Sequence, residues 1–198
     1  MLTDALQSTQ VTAVSCPDRA LAEALAWQPR GGRGRLLWIT GLSGVGKTTL
    51  SASIHARLSA LQAPVAWLDG DAMRRHFAVS GERLEAATRL QLAMRYASMA
   101  AGLARAGAWV VVSTISLFHC IHAINRRRAL DHDIGYVEVL LRAQEEMRER
   151  HASDRFGGPR VGHELPAQMP VAPHLILDND YSPATLRRLT DRVIRSFG

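Results

Sequence analysis

The chain has 198 residues, with 24 basic and 18 acidic side chains for a formal charge of +6, and 47% hydrophobic against 21% charged residues. That length encloses one core of ordinary size, and that balance excludes wholesale disorder and low complexity. No apolar run approaches the ~18 residues of a membrane helix, the opening Met1-Leu-Thr-Asp-Ala-Leu lacks the basic start and apolar core of a secretory signal, and Cys16 and Cys120 stand too far apart to suggest a disulfide framework; a cytoplasmic domain is expected.

Residues 1–35 read as an N-terminal arm, with a short helix at 18–27 and a glycine-rich connector over 28–34. The apolar run 36–40 predicts a strand, followed by a glycine-rich turn and a helix over 48–61. A second strand is predicted at 65–69 and a long helix at 82–106, where Leu84, Leu92, Tyr96, Met99 and Leu103 fall on related faces. Strands follow at 109–115, 136–141 and 175–178, and a helix at 183–197 with Ser182 as its cap and Pro183 at its first position. Between them, 152–174 holds prolines 159, 166, 170 and 173 with little periodicity, and reads as a lid-like loop. Strands this short and β-branched suit burial on both faces. The expectation is an α/β domain over 36–198: a parallel sheet of about five strands with helices on both faces, of the P-loop NTPase type.

Of the 24 basic residues 23 are arginine, and Lys47 is the only lysine. The positive charge does not name a partner, since a basic face can bind nucleic acid, steer small anions or maintain solubility. No aromatic–basic interleaving or recognised nucleic-acid module accompanies it, so neither nucleic acid nor membrane is expected as a partner. Arg126-Arg127-Arg128 reads as a solvated helix face.

Lys47 stands inside Gly41-Leu42-Ser43-Gly44-Val45-Gly46-Lys47-Thr48, which fits G-x-x-x-x-G-K-[ST] without mismatch, with Thr49 following. The glycines permit backbone conformations that turn successive N–H groups toward one phosphate chain. The helix that follows adds its free N–H groups and positive dipole end. Lys47 can reach the β- and γ-phosphates and the Thr48 hydroxyl can ligate Mg²⁺. This is the pattern of a nucleoside triphosphate site, with ATP and Mg²⁺ as the expected cofactors. A guanine-reading N-K-x-D motif is impossible in a chain whose one lysine is Lys47. A small kinase remains, and it needs a carboxylate near the attacked hydroxyl and cations around both substrates. Asp69-Gly70-Asp71, followed by Arg74 and Arg75, stands at the end of the second predicted strand, facing the crevice beside the P-loop. The same three residues also read as a simple turn.

The run Trp38–Thr49, Leu68-Asp-Gly-Asp71 with Arg74, and Ser113-Thr-Ile-Ser116 together resemble the adenylylsulfate kinase family, over most of 36–180. The resemblance implies a P-loop kinase that phosphorylates the 3′-hydroxyl of adenosine 5′-phosphosulfate with ATP and Mg²⁺, in a family whose members are often homodimers. It implies Asp71 as the base toward the hydroxyl and Asp69 as an organiser of Mg²⁺. Arg74, Arg89 and Arg95 would hold the acceptor, Ile115 and Ser116 would lie beside it, and Arg150 would approach the ATP adenine. The chain departs from the family at Ala72, at Leu84 where the family has an aromatic (Phe77 being a substitute), at Ser153 within Arg150–Phe156, and at Val161–Pro166. With Leu92–Tyr96, Thr114–His119 and Leu175–Asp180, those departures resemble the side branch containing cytidine diphosphoramidate kinase, an enzyme of capsule biosynthesis. The acceptor is therefore expected to be cytidine diphosphoramidate or adenosine 5′-phosphosulfate, the latter belonging to sulfate assimilation. The alternative is a nucleotide-binding regulatory protein with a degenerate kinase site.

Other residues take plainer roles. His119 and His122 are expected at the acceptor pocket or its rim, and His76, His151, His163 and His174 on the surface or in loops. Asp178-Asn179-Asp180 reads as a strand end without a catalytic role. Cys120 and the tryptophans read as packing residues.

Overall fold

Side chains alternate between the two faces of a strand, so a run apolar at every position must be covered on both sides. The computed structural model, which describes residues 34–61, 64–76, 85–152 and 160–197, resolves that requirement into one layered sheet. The strands are β1 (Arg35–Thr40), β2 (Val65–Asp69), β3 (Trp109–Ser113), β4 (Gly135–Arg142) and β5 (Leu175–Asp178). Every pairing is parallel and the spatial order is β2-β3-β1-β4-β5. The helices are α1 (Lys47–Ala60), α2 (Gly70–His76), α3 (Ala86–Arg105), α4 (His119–Asp131), α5 (Glu145–His151) and α6 (Pro183–Phe197). The α/β class and the parallel sheet are as expected. The short helix at 18–27, Phe77, Leu84 and the 153–156 segment lie outside the described residues.

Leu36 and Trp38 of β1, Val110 and Val112 of β3 and Tyr136 of β4 pack on one face against Tyr96 and Ala97 of α3 and Ile121 of α4. Leu37, Ile39, Val111 and Val139 pack on the other against Ile54 and Leu58 of α1 and Val193 and Phe197 of α6. Helix α3 presents Ala93, Ala97, Ala100 and Ala104 inward, and these short side chains let it approach the sheet closely. The start of α6 is as expected, with Ser182 Oγ accepting the Thr185 N–H at 3.1 Å.

Three helices carry no clear sequence signal. α2 and α5 have seven residues each, too few to establish a period. α4 begins after Phe118 rather than after a polar cap, and its buried face includes His122, Asn125 and Arg126, which blurs the apolar stripe.

Arg126 corrects the reading of a solvated arginine face. It is 4% exposed, and its Nη2 lies 2.5 Å from Glu138 Oε2 and also donates to the Ala172 carbonyl. Arg127 alone of the triplet fits the exposed reading, pairing with Asp131 one turn on. Glu138 is 1% exposed in β4, with His122 Nδ1 2.5 Å from its Oε1 and the Tyr136 hydroxyl at 3.3 Å. Burial alone would raise the Glu138 pKa, but the hydrogen bonding and charge of His122 and the charge of Arg126 hold it below the usual glutamate value. His174 is not a plain loop histidine either. Its Nδ1 accepts the Glu138 backbone N–H at 2.8 Å, so the chain before β5 is fastened to β4.

Burial, reinforced by the Arg126 charge and opposed by Glu138, lowers His174 from 6.5 to about 4. Between those two values the unfolded chain binds more protons than the folded one. The His174 contribution to stability is therefore complete above pH 6.5 and is lost as pH falls toward 4. Denaturant midpoints should fall across that window, and His174→Asn, which keeps an acceptor but does not protonate, should flatten part of the fall. Glu138→Gln leaves the buried Arg126 without its counter-charge and should cost about 3 kcal/mol in the same measurement.

Candidate active site

β1 ends at Thr40, whose Oγ1 donates to the Ile115 carbonyl at 2.7 Å, and the chain enters the loop at Gly41. Gly44 and Gly46 have φ of +82° and +92°, which side chains rarely adopt. A Cβ on Gly44 would run into the Arg148 carbonyl, and one on Gly46 would lie 2.5 Å from Asn179 Nδ2. Gly46 is also the N-cap of α1 and supplies no side-chain acceptor, and the first turn of α1 carries no acidic residue. The first N–H groups of this 14-residue helix are thus available to an anion from outside.

Lys47 opens α1, and its Nζ donates to the Leu42 carbonyl at 2.7 Å, across the loop. Burial brings its pKa down to about 8; Asp71 and Asp69 pull the other way, and Arg74 adds to the lowering. Val45 is 2% exposed and roots the loop in the core, while Leu42 packs beneath Gly162. Ser43, Gly44, Gly46, Lys47, Thr48 and Thr49 line a cavity of about 880 Å³. Gly41, Leu42 and Val45 shape the loop from behind instead.

The opposite wall begins at the end of β2. Asp69 Oδ1 accepts the N–H groups of Asp71 and Ala72, both at 3.1 Å, which starts α2. Its Oδ2 accepts the hydroxyls of Thr48 at 2.9 Å and Ser113 at 3.0 Å. The reading of Asp69-Gly-Asp71 as a mere turn is thereby replaced by a helix start anchored to the P-loop. Thr48 Oγ1 and Asp69 Oδ2 are adjacent hard oxygens of the kind that Mg²⁺ binds directly or through water, so this donor set fits that ion. Asp71 is partly exposed to the cavity and pairs with Arg74. Arg89 of α3 faces the same space, and burial, then the Arg74 charge, holds it below the ordinary arginine value. Tyr96 lies beneath, its hydroxyl toward the Gly70 carbonyl at 3.4 Å and its pKa pushed up to about 12 by burial first of all. Ile115 and Ser116 complete this wall beyond β3, Ser116 Oγ being 2.9 Å from Thr114 Oγ1.

Two expected site residues are elsewhere. Arg95 is exposed on α3 and Arg150 is exposed on α5, and neither borders the cavity. His151, next to Arg150, does border it. His119 and His122 do not, because His122 is buried against Glu138 and His119 contacts the Met169 carbonyl.

Several residues at the site carry no signal in the sequence. Asn179 Nδ2 donates to the Val45 carbonyl at 3.0 Å and its Oδ1 accepts the Tyr181 N–H at 3.0 Å. Tyr181 has a φ of +64°, its hydroxyl donates to the Gly44 carbonyl at 2.8 Å, and its ring stacks on His151 at 4.1 Å between centroids. The segment read as a strand end is thus a latch on the P-loop from 134 residues away. Trp67, expected in packing, also donates through Nε1 to Ser113 Oγ at 3.1 Å, and so steadies the hydroxyl that holds Asp69. Glu145, Glu149 and His163 converge at the foot of α5, but the buried Arg148 guanidinium stands among them, 3.4 Å from Glu145 Oε1 and from His163 Nε2. These acids already have an internal cation. Among the described residues no helix is long and apolar enough to cross a membrane.

The family model described as Adenylylsulphate kinase matches residues 33–156, a stretch containing the P-loop, Asp69, Asp71, Arg74, Arg89 and Ser116. The chain belongs to the adenylylsulphate kinase family. It is 32% identical over 106 residues to the cytidine diphosphoramidate kinase of Campylobacter jejuni, covering 52% of this chain and 59% of that protein. It is 39% identical over 122 residues to an adenylyl-sulfate kinase of Synechococcus, covering 61% and 65%. The chain thus matches about three fifths of the length of these curated relatives. Among solved structures, it is similar to the Mycobacterium tuberculosis APS kinase CysC in complex with AMPPNP and APS, with a TM-score of 0.72 at 28% identity, over 84% of this chain and 98% of that one. The match to the adenylylsulphate kinase family ends before the latch at Asn179–Tyr181.

Asn179→Ala removes the bond to Val45 and the one to Tyr181 together. It should weaken binding of ATP analogues by about tenfold and lower stability by about 1–2 kcal/mol, as read by calorimetry and denaturant unfolding.

Proposed function

We propose that the protein is an ATP- and Mg²⁺-dependent kinase that transfers the γ-phosphoryl group to the 3′-hydroxyl of a nucleotide acceptor. The observation that carries this reading is one continuous cavity where the P-loop meets the Asp69–Asp71 carboxylates and the Arg74–Arg89 guanidiniums. A hydrolase needs one anion site and a water. This cavity has two cationic regions with a carboxylate between them, which suits two anionic substrates meeting at a hydroxyl. Family membership supports the same reaction class.

In this reading the loop N–H groups and Lys47 cradle the triphosphate, whose negative charge offsets the hydration that burial took from the ammonium. Arg74 and Arg89 hold the acceptor's anionic head. Asp71 accepts the hydroxyl proton as the acceptor oxygen bonds to the γ-phosphorus and the bond to the ADP oxygen breaks. Asp69 holds Thr48 in place, and these two are the residues for Mg²⁺, which when bound neutralises charge on the phosphate oxygens. The names of the relatives supply the candidate acceptors, cytidine diphosphoramidate and adenosine 5′-phosphosulfate.

A parallel assay with γ-labelled ATP and both acceptors tests the reading, since label should appear on one of them. Lys47→Ala should abolish measurable transfer. Asp71→Asn should lower kcat by about 10²-fold or more while ATP affinity changes little. Turnover near wild type in Asp71→Asn would remove the base from its assigned residue.

A further inference from the structure

Helix α4 starts without a polar cap, because Phe118 occupies the N-cap and offers no side-chain oxygen. The free N–H of His119 is taken instead by Gln168 Oε1 at 2.9 Å, from 49 residues away. The Gln168 backbone N–H donates to the Leu117 carbonyl at 3.1 Å, and His119 Nε2 meets the Met169 carbonyl at 3.0 Å. A short strap is thereby stitched across the start of α4. The bond to His119 also decides which way the amide faces, because a backbone N–H can only meet the oxygen. The Gln168 NH₂ then has no protein partner among the described residues, and Gln168 borders the cavity.

With its oxygen engaged by His119, the end of this amide left to meet a ligand is the NH₂ donor. The lining residues next to it in the chain or across its strap bonds are the apolar Leu117, Phe118, Leu165 and Pro166, with Ser116 and Glu164 just before these two runs. Apolar walls with one fixed donor suit a flat ring with lone pairs at its edge, which is the chemistry of a nucleobase. We propose that Gln168 is a specificity-determining residue of the acceptor site, donating its NH₂ to a ring nitrogen or carbonyl oxygen of the acceptor's base. Phe118, Leu165 and Pro166 pack the ring, and the helix cap is the device that aims the donor. This rests on reading the cavity as a kinase's acceptor site, and it extends that reading beyond residues 33–156, where the family match ends.

The test separates the cap from the donor. Gln168→Glu keeps an oxygen for the His119 N–H but has no proton to give, whereas Gln168→Ala loses both. CMP, AMP and ribose 5-phosphate serve as calorimetric probes on the full chain, the last because it has no base. Gln168→Glu should keep the wild-type melting temperature and bind the preferred nucleotide about tenfold more weakly, with ribose 5-phosphate unchanged. Gln168→Ala should show the same loss of nucleotide and a lower melting temperature. Unchanged nucleotide affinity in Gln168→Glu would overturn the proposal. So would an equal loss for ribose 5-phosphate, which would signify charge repulsion alone, or a wild-type protein that binds neither CMP nor AMP. The kinase reading fails separately: absence of phosphoryl transfer by the wild type, with Gln168-dependent nucleotide binding intact, removes the reaction and keeps the base contact.

Discussion

The carboxylate of Asp69 holds the site together. Its two oxygens accept four bonds, from the N–H groups that begin α2 and from hydroxyls on α1 and at the end of β3. A seven-residue helix has little stability of its own, so α2, with Asp71 and Arg74 on it, depends on that cap. The same carboxylate fixes the Thr48 hydroxyl of the P-loop. One acid at the end of β2 therefore sets the distance between the P-loop and the Asp71 and Arg74 side chains on the opposite wall of the cavity. Four bonds from three different elements fix the orientation of Asp69, which is what preorganisation requires.

Charge is buried in two contrasting ways. On the α3/α4 side of the sheet, Glu138 is matched by Arg126 and His122, and the cluster is closed to solvent. Removing one partner of such a group leaves a charge buried and unpaired, which is strongly destabilising. In the cavity, Lys47 and Arg89 are both pushed below their ordinary values by burial first. Cations in that condition favour an added anion.

Sequence and structure agree where signals are local. The P-loop, the five strands and the capped final helix are each written within a few consecutive residues, and chain order with right-handed crossovers leaves few ways to assemble them. Asp69, Asp71 and Arg74 were legible because they follow a strand end, whereas Arg89 and Ser116 came only with the resemblance to the family; all five border the cavity. Asn179 and Tyr181 were not, because their partners lie on the P-loop and nothing adjacent to them hints at it. Arg126 was misread because an arginine-rich chain hides the few arginines that are buried. Of the neighbouring pair at the end of α5, His151 borders the cavity and Arg150 is exposed, since neighbouring positions on a helix point about 100° apart.

Tyr181 has a consequence for how this protein can change. Its backbone sits at a φ of +64°, where glycine or asparagine is more comfortable than an aromatic residue. Its hydroxyl and ring, however, hold Gly44 and stack on His151. The residue that best suits the fold at this position is therefore different from the one that best serves the loop. Glycine or asparagine there would relieve the backbone but give up the bond to Gly44 and the stack on His151, so a change that eases the chain at this point loosens the phosphate loop.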